Sequence, residues 1–250
     1  MSLLECLAVL AAGVFAGAIN TIVGSGTLVT FPVLLAVGYA PVTANVSNTL
    51  GLVPGSISGA IGYRAELEGQ RRRIVALGTA SFLGGITGAV LLLSLPGEAF
   101  EAIVPVLIAI AVVLVVVQPR LARALQARRT RVRPHGGPPL WAGVFGTGVY
   151  GGYFGAAQGI ILLALFGIAL PEDLQRLNAL KNVLAGLVNA VAAVVFVFFA
   201  TVAWLPVVLL AAGSAAGGQL GARIGRRLSP AVLRAVIVVV GVAAIAQLVS

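Results

Sequence analysis

The chain has 250 residues, 60% of them hydrophobic and 9% charged, and its mean hydropathy of +1.09 excludes a soluble globular domain, where about a quarter of residues are charged. A net charge of +9 would suggest nucleic acid in a soluble protein. Here the basic residues sit in short loops between apolar runs, the pattern that orients membrane proteins, so no nucleic-acid partner is expected and the partner surface is the lipid bilayer.

Apolar runs occupy 3–23, 45–63, 74–95, 101–118, 141–168, 178–200, 202–221 and 231–249. Most reach the roughly 20 residues that a helix needs to cross a bilayer. The opening "MSLLE" has a glutamate and no Lys or Arg, so the first run is expected to be retained rather than cleaved as a signal. The longest polar stretch begins at Arg120 and splits the chain into a first transmembrane repeat (1–118), a basic cytoplasmic linker (119–140) and a second transmembrane repeat (141–250). Cys6 permits no internal disulfide, and one histidine, His135, argues against a histidine metal site.

The two halves begin alike. "GVFAGAINTIVGSGTLVTFPVLLAVGYAP" from Gly13 is echoed by "GVFGTGVYGGYFGAAQGIILLALFGIALP" from Gly143, and "ANVSNTLGLVPGSISGAIGY" from Ala44 by "NALKNVLAGLVNAVAAVVFV" from Asn178. The second pairing sets Asn48 against Asn182 and Ser47 against Lys181. If each Gly-broken segment crossed once, the loop with Arg223, Arg226 and Arg227 would lie opposite the other Arg-rich loops. If each is a hairpin, all the Arg-rich loops share one face with Arg176, and Glu5, Glu98 and Glu101 lie opposite. The expected fold is therefore an all-α polytopic membrane protein. Its two homologous halves form an inverted repeat, each a Gly-broken helical hairpin followed by three transmembrane helices. The expected location is the inner (plasma) membrane, multi-pass, with Arg-rich loops cytoplasmic and both termini outside.

Backbone that leaves a helix inside a bilayer must line protein or a watery cavity, because unsatisfied groups facing lipid cost several kcal/mol each. Paired breaks in two halves are the mark of a transporter site. Inverted hairpins would bring their tips, Gly24 to Gly26 and Gly155 to Gly159, together near the membrane midplane, presenting free amide N–H groups and positive helix N-termini that suit an anion. Elsewhere the many glycines are expected to serve close helix packing. The substrate-binding candidates are Asn20, Gly24, Ser25, Gly26, Thr27, Asn45, Asn48, Gly155, Gln158, Gly159, Asn178, Lys181 and Asn182, with Thr21, Ser47, Thr49 and Asn189 nearby. Lys181 lies a few positions inside a span: it either supplies a positive charge to the cavity or snorkels to the interface. All seven acidic residues lie near loops or span ends, which argues against coupling by a buried acid.

The sequence resembles the sulfite exporter TauE/SafE family, also called the toluene sulfonate uptake permease family. "INTIVGSGTL" (19–28), "ANVSNT" (44–49), "YGGYFGAAQGIILL" (150–163), "NALKNVL" (178–184) and "LGARIGRRLSPAVLR" (220–234) carry the likeness over nearly the whole length. The resemblance implies a permease for small anions, sulfur-containing or carboxylated (sulfite, sulfonate, sulfoacetate or related species); export is the expected direction, because an inside-negative membrane potential already drives an anion outward. Ser25 in the first break and Ala157-Gln158 in the second depart from the more Gly-rich family pattern. No enzyme activity, catalytic residue, metal or cofactor is expected, and a homo-oligomer is compatible with the reading. The alternatives from other classes are a non-transporting scaffold or assembly factor, and, more remotely, an intramembrane enzyme using Ser25, which lacks a histidine base.

Overall fold

A computed structural model of the chain describes residues 1–127, 135–224, 239 and 242. Its helices are α1 (Leu3–Ile22), α2 (Thr27–Ala36), α3 (Pro41–Gly62), α4 (Arg71–Ser94), α5 (Gly97–Ala127), α6 (Pro138–Tyr153), α7 (Gln158–Ala169), α8 (Leu174–Phe199) and α9 (Trp204–Ile224), with a short 3-10 turn at Arg64–Leu67. Local signals set several boundaries. Ser2 and Glu5 close a reciprocal capping box at the start of α1, and the Asp173 carboxylate accepts from the N–H groups of Gln175 and Arg176 at the start of α8. Prolines open α3 and α6, where a missing N–H costs nothing.

Among the described residues, five helices (α1, α4, α5, α8 and α9) are long and apolar enough to cross a membrane. The architecture is that of a polytopic helical membrane protein. α5 shows how such a helix partitions: Phe100, Val104, Ile108, Ala111 and Val115 are buried, while Ile103, Val106, Ile110, Val113 and Val116 face outward. Both faces are apolar because lipid is the solvent on one side. Residues 119–127 of the basic segment continue α5 as helix; residues 128–134, with Arg128, Arg129, Arg131 and Arg133, lie outside the described residues. So do Arg226 and Arg227 and most of the run expected at 231–249.

Each broken segment is resolved into two helices: 3–36 into α1 and α2, and 138–169 into α6 and α7. The first helix of each pair packs against the other half of the chain. Along α1 and α9, Gly13 meets Leu210, Gly17 meets Ser214, and Gly221 meets Ala18, so the two run in the same direction. Along α4 and α6, Gly84 meets Phe145 and Gly148, and Gly88 meets Val149 and Gly152, again in the same direction. Glycine is required at these crossings, since a Cβ on Gly217 would lie 2.0 Å from the Val14 carbonyl and one on Gly88 2.1 Å from that of Val149.

α3 is the central helix, buried over most of its circumference. It runs parallel to α9, with Gly51 against Leu210 and Gly62 against Ala222. It runs antiparallel to α8: the Ser47 hydroxyl accepts from the N–H of Ala203, Ser56 packs on Gly186, and Tyr63 clusters with Ala179. Consequently Arg64, Arg71 to Arg73, Arg176 and Arg223 gather at one end of the bundle. Gly97, at the start of α5, lies beside Val42 at the other end, so Glu98 and Glu101 belong to that second end.

At the basic end the halves are tied by a polar network. Glu172 accepts from Arg73 Nη1 at 2.6 Å and from Arg176 Nε at 2.7 Å, Arg176 donates to the carbonyl of Glu68, and Gln70 Nε2 donates to the carbonyls of Glu66 and Arg176. Burial alone would raise the pKa of Glu172, but the hydrogen bonds and charges of the two arginines outweigh it and hold the carboxyl below its ordinary 4.5.

Two outcomes are expected. Gly88→Ala should cost about 1–3 kcal/mol by overpacking α4 against α6, read as a lower Tm of purified protein, whereas Gly146→Ala, with open space around its Cα, should leave Tm unchanged. Because the folded pKa of Glu172 lies below the unfolded value of about 4.3, its contribution is complete above that pH and is lost as pH falls through the folded value. The Tm advantage of wild type over Glu172→Gln should be full at pH 7 and shrink in acid below about pH 4.

Candidate functional site

α1 ends because Val23 and Gly24 both direct their N–H groups to the carbonyl of Ile19, and Gly24 then turns left-handed at φ +87°, a conformation that glycine adopts without strain. Asn20 reaches forward across the turn: its Oδ1 accepts from the N–H of Gly26 at 2.7 Å. α2 then starts at Thr27. The second break is built likewise. Gly155 sits at φ +76° and Ala157 at φ +60°, Tyr150 Oη donates to the carbonyl of Ala156, and α7 starts at Gln158.

The last carbonyls of α1 are satisfied from α8. Lys181 Nζ donates to Asn20 O at 2.9 Å and to Thr21 O at 3.3 Å, and Thr21 O also accepts from Asn178 Nδ2 at 3.1 Å and Asn182 Nδ2 at 3.2 Å. Positions 178, 181 and 182 share one face of α8, and a lysine is the natural partner of a helix C-terminus, where the dipole is negative. Lys181 is 0% exposed, so it does not snorkel. Near the start of α3 another asparagine does a related task for α6: Asn45 Nδ2 donates to the carbonyl of Tyr153 at 2.9 Å.

The two breaks meet. The N–H of Gly159 donates to Gly24 O at 3.1 Å, and a Cβ on Gly24 would lie 2.4 Å from Gly159 Cα. Beside this contact is a cavity of about 20 Å³, room for about one water. Asn20, Thr21, Gly24, Thr27 and Ser56 line it from the first half; Gly155, Gln158, Gly159, Asn182, Ala185 and Asn189 line it from the second. No carboxylate is among them. Asn20 has spent its oxygen on Gly26, which leaves its Nδ2 as the free end. Gln158 is 4% exposed and its Nε2 has no hydrogen-bond partner.

The family model of the sulfite exporter TauE/SafE proteins matches residues 9–248. The chain belongs to that family. It is 29% identical over 195 residues to the Escherichia coli (strain K12) probable membrane transporter protein YfcA, covering 76% of this chain and 69% of that one. It is also 29% identical over 200 residues to the probable membrane transporter protein ORF9 of Sinorhizobium sp, covering 77% and 72%. A Haemophilus influenzae probable membrane transporter protein is 29% identical over 174 residues, covering 68% and 67%. No solved structure matches the chain.

In this TauE/SafE protein, seven of the sequence-derived candidates line the cavity: Asn20, Gly24, Thr27, Gly155, Gln158, Gly159 and Asn182. Gly26, Asn178 and Lys181 stand directly behind it through their bonds to α1. Ser25 is buried with its Oγ unpartnered, so no base is set upon it. Asn48 holds α3 to α2, accepting from Thr30 Oγ1 and donating to Thr27 Oγ1, and Asn45 serves the end of α6. The free amides expected at the tips are corrected in part: the N–H groups of Gly26 and Gly159 are taken by Asn20 and Gly24, because a buried N–H without a partner is too costly to leave.

Ser56, Ala185 and Tyr150 were not singled out from the sequence. Ser56 lies two helical turns beyond Asn48 on α3, a spacing that could have flagged it. Tyr150 stands opposite Asn20 in the aligned halves. Gly24→Ala should lower Tm more than Gly159→Ala, because both overlap the facing backbone while only Gly24 adds left-handed strain of about 1–2 kcal/mol; thermal unfolding of the two purified variants checks the order.

Proposed function

We propose that this chain is a permease for a small, sulfur-containing anion such as sulfite or an organosulfonate, with export as the physiological direction. The observation that carries the reading is the meeting of the two helix breaks, Gly24 against Gly159, at a cavity lined from both halves by amides and hydroxyls. The local electrostatics favour an anion. α2 and α7 direct their N-termini toward this region, the buried Lys181 stands one residue behind Asn20, and no carboxylate lines the wall. The names of the relatives, probable membrane transporters, and of the family, a sulfite exporter, point the same way.

The cavity has room for about one water, so the breaks must separate to admit an anion. An inverted repeat provides a way to do so from either face. It is supported by the opposite run of the corresponding helices α3 and α8, and by the matching use of α1 on α9 and α6 on α4. The gathering of Arg64, Arg71 to Arg73, Arg176 and Arg223 at one end favours that end as cytoplasmic, which puts the start of α1 outside. Residues 1–118 and 141–250 then form the two repeats.

The test is uptake of labelled sulfite, sulfoacetate and a plain carboxylate into proteoliposomes under an imposed potential of either sign, which acts on one charge with about 2.3 kcal/mol per 100 mV. Potential-dependent flux of a sulfur anion is expected, abolished by Gly24→Leu and slowed at least about tenfold by Lys181→Met, on the scale of a lost charge-assisted hydrogen bond. Equal flux with and without protein would refute the permease reading and favour a scaffold role.

A further inference from the structure

The two breaks are pinned by the same geometry with different chemistry. In the first, Asn20 reaches six residues ahead and accepts from the N–H of Gly26. In the second, Tyr150, also six residues short of its partner, donates its hydroxyl proton to the carbonyl of Ala156. The residue that follows the tyrosine's partner, Ala157, is held left-handed at φ +60°; among the described residues it is the one non-glycine with positive φ. An alanine there is strained by about 1–2 kcal/mol, so something must hold it. Next in the chain is Gln158, the first residue of α7, whose side-chain amide lies over Gly151: a Cβ on that glycine would be 2.4 Å from Gln158 Cδ. The amide is buried, faces the cavity and has an unpartnered Nε2.

We propose that Tyr150 is a positioning residue of the substrate site: by tying the last turn of α6 to the Ala156 carbonyl it holds Ala157 left-handed and so presents the Gln158 amide to a substrate oxygen. The inference rests on the permease reading given above. The pin acts on recognition rather than on movement, because it fixes where a donor stands and leaves the contact of Gly24 with Gly159 untouched. Gln158 offers an N–H to an oxyanion without a formal charge of its own. A donor of this kind discriminates by the direction of the oxygen, so its orientation determines its worth. Asn20 is fixed by the same device on the facing wall, and a bound oxyanion would lie between two amide nitrogens, one from each half.

Five variants, three single and two double, measured for sulfite uptake in proteoliposomes test this. Tyr150→Phe keeps the ring and removes only the hydroxyl; it is expected to raise KM about fivefold, the scale of one net hydrogen bond, with kcat within twofold of wild type. Gln158→Ala should raise KM by a similar or larger factor. In the double variant the tyrosine change should be nearly silent, because the group it positions is gone. Ala157→Gly removes the cost of the left-handed backbone, so it should leave KM within twofold alone and restore most of the loss caused by Tyr150→Phe. Independent, multiplicative effects of Tyr150→Phe and Gln158→Ala would overturn the proposal, as would a fall in kcat at constant KM, or a failure of Ala157→Gly to rescue. If Tyr150→Phe does not reach the membrane, Ala157→Gly with and without it decides: KM values within twofold uphold the proposal, and a fivefold gap overturns it. Wild-type protein that moves no sulfite refutes the permease reading and this inference together, whereas wild-type uptake with additive variants refutes this inference alone.

Discussion

A helix that stops inside a membrane protein leaves carbonyls that neither water nor lipid can satisfy, and the arrangement of this molecule follows from how those of α1 are met. Asn20 O and Thr21 O receive four donor contacts from Asn178, Lys181 and Asn182, all from the other half of the chain. That requirement fixes the depth of α8 against α1. It also brings Gly159 against Gly24, since Lys181 passes so close to Gly159 that a Cβ there would lie 2.9 Å from its Cδ. The break in the helix and the wall of the cavity are thus one structure, and the polar residues that satisfy the backbone are those beside which a solute would bind.

This dual use explains which parts of the site were legible in the sequence. Glycine clusters at 24–26 and 155–159 stand out because they interrupt apolar runs, and the arginines sort only if the broken segments turn back; both signals are local. The division of labour among the asparagines is not local. Asn48 and Asn182 occupy matching places, yet Asn48 serves Thr27 and Thr30 of its own half while Asn182 serves Thr21 of the facing one. Nothing in "ANVSNT" or "NALKNVL" distinguishes these outcomes, because each depends on which helix the fold places alongside. Lys181 was ambiguous for the same reason: three residues from Asn178, it could have reached the interface, and only the carbonyls at the end of α1 give it a buried partner.

The glycines divide cleanly between two physical roles. Those of the α1–α9 and α4–α6 crossings are there for the absence of a side chain, with facing carbonyls where a Cβ would be. Gly24 and Gly155 also supply a backbone conformation. At Ala157 the chain accepts the same conformation without glycine, and Tyr150 stands next to it in space; a tyrosine hydroxyl and an alanine strain are coupled where a glycine would have needed neither.

The interlocking of the halves bears on how the chain is made. α1 precedes its packing partner α9 and the residues that cap its end by a long stretch of chain: 161 positions separate Asn20 from Lys181. During synthesis its glycine face and its open carbonyls must therefore be accommodated by something other than their final partners. The packing of α1 and of the break that follows it is completed only when the second half has been inserted, which makes assembly of this protein a late, long-range event rather than a stepwise stacking of neighbouring spans.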